Sequence, residues 1–288
     1  MRWTAQSAQL HRLVALVTAF IATFLIAACA SSTMPKPLNV ALNSAQTLER
    51  RAAQSYAQGD LQSADAAYAS AALVYESLAL AQPLARARLN QARVLAEASQ
   101  TPRAVQLVDA VLAQPNLGVL GVETLAVAYG RAAALQLSLG EFSKAQSFLQ
   151  SALTACVSTC SAQQALQVLR ARLDLALGNA AAAVQSANAA LSSNPAGGQS
   201  AGNPEQANAL RVRAQAYAAL SQPASSLSDA NAALAIDQQA GAANRVVLDL
   251  DLIASAHQAL GDSAQAQRYT QLAQAARAAL LALQNGAP

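Results

Sequence analysis

The stretch 132–153, AAALQLSLGEFSKAQSFLQSAL, alternates apolar and polar residues with the period of a helix. Ala145 and Leu149 lie four positions apart, which places them on one helical face. Gly140 interrupts the pattern, and glycine adopts at low cost the left-handed backbone that ends a helix. The stretch therefore predicts two helices joined by a tight turn. Small residues let the helices approach closely, and large ones such as Phe142 fill the space between them.

The same pattern occurs six times, at intervals of 40, 41, 38, 43 and 40 residues. The turn residues are Gly59, Ser99, Gly140, Gly178, Ser221 and Gly261. Small residues recur at three fixed distances from each turn. Seven before it stand Ala52, Ala92, Ala133, Ala171, Ala214 and Ala254; five after it, Ala64, Ala104, Ala145, Ala183, Ser226 and Ala266; twelve after it, Ala71, Val111, Ala152, Ala190, Ala233 and Ala273. The spacing predicts an all-α chain of about six helical hairpins.

This repeat resembles the tetratricopeptide repeat (TPR), a helix–turn–helix unit with small residues at these offsets. The resemblance covers roughly residues 45–275 and implies a superhelical solenoid, in which each repeat contacts its neighbours. We expect the repeat array to occupy residues 45–274. Residues 275–288 are expected to form a C-terminal capping helix and tail, because terminal repeats need a covered end. The resemblance implies a binding scaffold and does not name the partner.

The N-terminus is typical of a secretory signal: Arg2 and Arg12, an apolar run, and then small residues. The ending Leu25-Ile26-Ala27-Ala28-Cys29 resembles a bacterial lipobox. That resemblance implies cleavage before Cys29, whose sulfur would carry the diacylglycerol, with residues 1–28 as the lipoprotein signal peptide and 29–44 as the lipidated cysteine and a flexible tether. Ala30 follows the cysteine, so the resemblance implies sorting to the periplasmic face of the outer membrane. An uncleaved membrane anchor and an incidental cysteine remain as alternatives.

Composition supports helices and excludes one class of partner. Apolar residues make up 54% of the chain and aromatic residues 4%, because alanine supplies much of the apolar total. Alanine is the best helix former. Removal of Arg2 and Arg12 with the signal would leave 16 of the 18 basic residues against 15 acidic ones. This near balance gives no electrostatic case for nucleic acid.

Cys156 and Cys160 lie in the connection between the third and fourth repeats. If Cys29 is lipidated, they are the two thiols left, in an oxidising compartment that favours a disulfide. They could also stay reduced. A metal site would need more ligands than this pair supplies, and we predict no metal and no cofactor.

Arginine is the more informative charge, because the chain has only two lysines. In TPR arrays, the positions six and ten before the turn point into the concave surface. Here they include Arg93, Arg172 and Arg211. The planar guanidinium suits carboxylates, so these residues predict a groove for acidic or C-terminal segments of partner proteins or peptides. Ordinary solvated helix faces are the alternative.

His257 is the one histidine of the expected mature chain and the basis of an enzymatic alternative, a periplasmic hydrolase. The sequence contains no nucleophile elbow and no phosphate-binding glycine loop. His257 stands where other repeats carry packed or polar residues, which favours a structural role. Asp249 and Asp251 are typical of solvated helix faces and do not support a glycosidase. We expect no catalytic residues.

The expected function is a non-enzymatic, outer-membrane-anchored scaffold that binds other envelope proteins. Lipid-anchored proteins with about six such repeats resemble assembly factors such as the pilotins of type IV pili and polysaccharide-export scaffolds. An adaptor for peptidoglycan-modifying enzymes is the alternative within the same class.

Overall fold

The computed structural model describes residues 40–156, 160–193 and 203–284. Within them the chain forms twelve α-helices and no strand: α1 (Val40–Ala57), α2 (Leu61–Ser77), α3 (Ala81–Glu97), α4 (Thr101–Leu112), α5 (Gly121–Ser138), α6 (Phe142–Ala155), α7 (Gln163–Ala176), α8 (Ala180–Ser192), α9 (Pro204–Ala219), α10 (Pro223–Gln239), α11 (Ala243–Ala259) and α12 (Ser263–Gln284). A 3₁₀ turn, Leu117–Leu120, precedes α5. The helices pair in order as six antiparallel hairpins, numbered one to six. This confirms the all-α, TPR-like solenoid.

Two compact units divide at Asn43 and Ser44, and the description below concerns the second unit. The predicted signal, Cys29 and most of the expected tether lie outside the described residues. Helix α1 begins at Val40, so the last positions assigned to the tether are helical.

The six predicted turn residues all have the left-handed backbone that ends a helix. Their φ values lie between 56° and 82°, for serine as for glycine. Ala79 and Gly241, which join hairpin one to two and five to six, adopt the same conformation. A glycine avoids the Cβ clash that this conformation causes, so Ser99, Ser221 and Ala79 hold it at a cost.

The predicted small positions form the contact surfaces between helices. All eighteen are at most 8% exposed. Phe142 differs from the expectation: it begins α6 and is 37% exposed, whereas Phe148 packs against the cores on both sides. Small buried residues therefore set the close approach of the helices, as the repeat predicted.

The buried side chains are not equally large along the array. Hairpins two and three share a cluster that includes Leu89, Leu95, Val108 and Leu120. The segment Leu117–Ser138 is long and apolar enough to cross a membrane by length and composition alone. Because Ala128, Ala132 and Leu135 of this segment belong to that same buried cluster, we assign the segment to the repeat array.

The described end of the array continues the last helix. Helix α12 runs for 22 residues without interruption, so residues 275–284 continue the second helix of hairpin six. No residue between 263 and 284 leaves the helix. The described part of the chain end is therefore an extension of the last hairpin.

Candidate functional site

Four successive first helices each place an arginine in the interior of the array. Helix α3 carries Arg93, α5 carries Arg131, α7 carries Arg172 and α9 carries Arg211. They form two neighbouring pairs: in addition to burial, the charge of Arg93 lowers the pKa of Arg131, and the charge of Arg211 lowers that of Arg172. We call Arg93, Arg131 and Arg172 the arginine triad.

Arg131 is partly buried, and its side chain keeps some contact with solvent. Burial, and next the charge of Arg93, lower its pKa to about 10. Its Nε atom is buried and has no hydrogen-bond partner. Arg131 was not predicted, because it stands nine residues before the turn, between the positions six and ten that the repeat resemblance points into the concave surface. Positions six, nine and ten share one helical face, which was the available signal.

Arg93 is held by aromatic contacts. Its guanidinium carbon lies 4.3 Å from the centre of the Tyr56 ring, and its Nε is buried without a hydrogen-bond partner. The Tyr56 hydroxyl donates to the carboxylate of Glu97. Burial raises the pKa of Tyr56, so this hydroxyl stays protonated. A guanidinium that stacks on an aromatic ring through its face still has N–H donors in its plane, and these can bind a ligand.

Arg172 is exposed to water and yet surrounded by protein, as expected for a side chain that reaches into a curved interior. That crowding, followed by the charge of Arg211, lowers its pKa. Glu97 and Glu205 lie within electrostatic reach of both Arg131 and Arg172. Even so, no described carboxylate forms an ion pair with any member of the triad.

Arg211 differs from the expectation, because its donors are already used inside the protein. Its Nε donates to Asp249 at 2.7 Å, its Nη1 to Asn208 at 2.8 Å, and its Nη2 to Asp237. Arg245 donates to Asp237 at 2.7 Å. We call Arg211, Asp237, Arg245 and Asp249 the buried charge network. It joins α9, α10 and α11, and it leaves Arg211 no free donor pair for a partner.

Asp249 corrects a second expectation, since it is 0% exposed and not on a solvated face. Burial raises its pKa to about 6, against the opposing effect of Arg211, and Asp237 adds to the rise. Asp251, two residues further on, is partly exposed and pairs with Arg277 at 2.8 Å. The two acids are therefore unlike in role despite their spacing.

A cleft of about 480 Å³ opens between hairpins one and two. It is lined by Gln46, Glu49, Arg50, Ala53, Tyr68, Arg86 and Asn90. Glu49 accepts hydrogen bonds from the Tyr75 hydroxyl at 2.7 Å and from Arg86 at 3.2 Å. The acid in this cleft is satisfied by the protein itself.

Cys156 and Cys160 form a disulfide in this structure, with their Cα atoms 5.2 Å apart. The Glu123 carboxylate, at the start of α5, accepts hydrogen bonds from the backbone N–H and the hydroxyl of Ser161 at 3.1 and 2.5 Å. These bonds lower the pKa of Glu123. The contact between Glu123 and Ser161 therefore links the connection that carries the disulfide to hairpin three.

His257 occupies a packed position. Its ring stacks on Tyr269 with centroids 5.5 Å apart, and its Nδ1 lies 3.6 Å from the Asp262 carboxylate. The Nδ1 atom makes no hydrogen bond among the described residues. The described residues also contain no group of three or more acids, cysteines and histidines suited to a metal. The surroundings of His257 are those of a structural side chain.

No protein-family profile and no curated protein matches the sequence. Solved structures match its fold. The chain is similar to BtubC (BKLC) from P. vanneervenii, with 17% identity over 84% of this chain and 92% of that one, and a TM-score of 0.56. It is similar to a Rap protein complexed with Competence and Sporulation Factor, with 14% identity over 84% and 65% of the two chains and a TM-score of 0.61.

A third structure carries the name of the repeat. TTC0263, a thermophilic TPR protein of Thermus thermophilus, is 20% identical over 75% of this chain and 98% of that one, with a TM-score of 0.51. Likenesses at this identity define the fold. In fold, the chain is a TPR-like helical solenoid, an architecture that presents extended concave surfaces for binding.

Proposed function

We propose that this protein is a non-enzymatic scaffold that binds acidic segments of partner proteins in the interior of its hairpin array. The observation that carries the proposal is the arginine triad. Three guanidinium groups from three successive hairpins lie in one interior, and none has an ion-pair partner among the described residues. Arg211, which the sequence placed in the same group, serves the buried charge network instead.

Crowding of like charges inside the array favours binding of an anion. Burial and neighbouring arginines oppose the charged forms of Arg131 and Arg172, as their lowered pKa values show. An anionic ligand reverses that cost, because an opposite charge nearby favours the charged form. Each charge-assisted hydrogen bond contributes about 1.5–3 kcal/mol. A segment with one or more carboxylates is the partner that these donors fit.

The similar Rap protein, solved with Competence and Sporulation Factor, supports the use of this fold for holding another molecule. Non-enzymatic action is supported by the packed environment of His257.

The place of action that we propose rests on the sequence alone. The lipobox-like ending at Cys29 supports a lipid anchor at the periplasmic face of the outer membrane. Two or three acyl chains hold a protein on a membrane far more firmly than one. A tethered array that grips acidic segments suits the assembly of an envelope machine, such as a pilus, a secretion system or a polysaccharide exporter.

The test uses full-length protein in detergent and a short fluorescent Glu-rich peptide, with its Gln-substituted counterpart as the reference ligand. Changing the triad to glutamine is expected to weaken Glu-peptide binding by roughly ten- to a hundredfold. The matched control changes Arg51, Arg170 and Arg268, which are exposed arginines with no ion pair to a described acid. Arg131→Lys keeps the positive charge and removes the planar pair of guanidinium donors. Circular dichroism checks that each variant folds.

Equal loss in the triad and control variants would show a non-specific charge effect and refute the site. Unchanged affinity in the triad variant would refute it as well. In cells, Cys29→Ser is expected to move the protein from the outer-membrane fraction to the soluble periplasmic fraction. Retention of that variant in the membrane would contradict the lipid anchor.

A further inference from the structure

The first and last hairpins of the array lie against each other. Gly59, in the turn of hairpin one, is buried. A Cβ atom built on it would lie 3.6 Å from the Asn244 amide oxygen and 3.7 Å from a terminal methyl of Leu280. Both neighbours belong to hairpin six. In an open solenoid each repeat contacts only its neighbours, so this seam is an additional, long-range contact that closes the array.

The contact is made by one face of the extension of α12. Leu280 is 9% exposed, whereas Leu281 and Leu283 are 54% and 69% exposed. Helix α12 has 22 residues, whereas the other second helices have at most 17, and Leu280 is the buried leucine among residues 275–284. We call these residues the terminal strap. The strap therefore buries one leucine against hairpin one and leaves its other leucines in solvent.

The seam is linked to the arginine triad through Tyr56. Tyr56 lies three residues before Gly59 and stacks on Arg93. It is also within electrostatic reach of both Arg131 and Arg245, the latter at the start of hairpin six. A movement of hairpin one away from hairpin six would carry Tyr56 with it. The ring that stacks on Arg93 therefore belongs to the hairpin that the seam holds against hairpin six.

We propose that the terminal strap controls access to the arginine triad, and that opening the seam at Leu280 exposes the triad to ligands. The proposal concerns regulation of the binding site and so rests on the proposed function. Closure restricts the directions from which a ligand reaches Arg93 and Arg131. Release of the strap widens the interior, and the array then opens by the small rotations between hairpins that solenoids accumulate.

The test compares Leu280→Asp with Leu283→Asp, which places the same charge on the exposed face of the same helix. Phenylglyoxal, a reagent that modifies accessible guanidinium groups, is the probe, and mass spectrometry measures the rate at each arginine. Modification of Arg93 and Arg131 is expected to be several-fold faster in Leu280→Asp than in wild type and unchanged in Leu283→Asp. Exposed Arg170 serves as the internal reference. Leu280→Ala is the milder variant if Leu280→Asp fails to fold.

Two results would overturn the proposal: equal rates at Arg93 and Arg131 in all variants, or the same acceleration in Leu283→Asp. The Glu-rich peptide gives the second readout, with faster association expected for the opened variants. Failure of wild-type protein to bind the peptide would refute the proposed function and the gating role together. The reagent rates would still decide whether the strap closes the array.

Discussion

At the scale of single residues, the chain separates arginines that pair with carboxylates from arginines that have no carboxylate partner among the described residues. Arg211 and Arg213 both reach carboxylates of neighbouring helices at 2.6–2.7 Å. Arg93 and Arg131 lie in the same interior and reach none. Breaking a buried ion pair leaves an uncompensated charge and is strongly destabilising. The two sets are therefore expected to respond differently to substitution, one through stability and the other through binding.

Asp249 leads to a pH prediction. Burial raises its pKa from 3.8 to about 6, so the folded protein holds this proton more tightly than the unfolded chain does. Its contribution to stability is therefore largest below about pH 4, declines as the pH rises towards about 6, and is constant above that. Asp249→Asn cannot ionise. As the pH rises from 4 to 7, the free energy of unfolding of this variant minus that of wild type is expected to increase by up to about 3 kcal/mol.

The matched control for this prediction is Asp251→Asn, two residues away on the same helix and partly exposed. Urea denaturation at several pH values measures both variants against wild type, and the gain between pH 4 and pH 7 is expected for Asp249→Asn. A difference for Asp249→Asn that does not change with pH, or that changes in the opposite direction, would contradict the assigned pKa shift.

At the scale of helices and turns, the sequence predicted the repeat well because its signals are local. A turn residue with positive φ and three small positions per hairpin are set by neighbours within one repeat, and all of them lie where expected. The buried charge network was not predictable in this way. Asp237 and Asp249 stand 26 and 38 residues from Arg211, and only the packing of three helices brings them together. Asp249 also resembled the exposed Asp251 in its local sequence.

The turns give a prediction at this scale. Ser99 and Ser221 hold a left-handed backbone that glycine adopts without strain. Ser99→Gly and Ser221→Gly are each expected to raise the free energy of unfolding by about 0.5–1 kcal/mol, which chemical denaturation would measure. Ser147→Gly, at an exposed position inside α6, is the control and should lower it by up to about 1 kcal/mol. Loss of stability in all three variants would show that the turn serines are unstrained.

At the scale of the whole molecule, the array is uneven. Most of the largest fully buried apolar side chains lie between Tyr75 and Leu120. Helices α8 and α10 bury only small or polar residues, such as Ala187, Ser226 and Asp229. Burial of apolar surface stabilises by about 25 cal/mol per Å², so hairpins two and three should be the most stable part. Sequence alone did not show this, because alanine-rich repeats look alike.

Native-state hydrogen exchange tests this unevenness. Amides in the centres of α3, α4 and α5 are expected to exchange more slowly than those in α8 and α10, since exchange follows local opening. Wild-type protein suffices, because the two groups of helices are compared within one sample. Equal protection along the array would indicate a single cooperative unit, and slower exchange in α8 and α10 would contradict the argument.

The charges sealed between hairpins five and six have a consequence for the ancestry of the repeats. Hairpins two and three meet through alanine, valine and leucine side chains, which many hairpins could share, so duplication or exchange of such units costs little. Hairpin five brings Arg211 and Asp237, which pair with each other and also pair with Asp249 and Arg245 of the unit that follows. A following hairpin that supplied only one of those two groups would leave a buried charge uncompensated. We therefore expect a rearranged array to keep the last two units in this order.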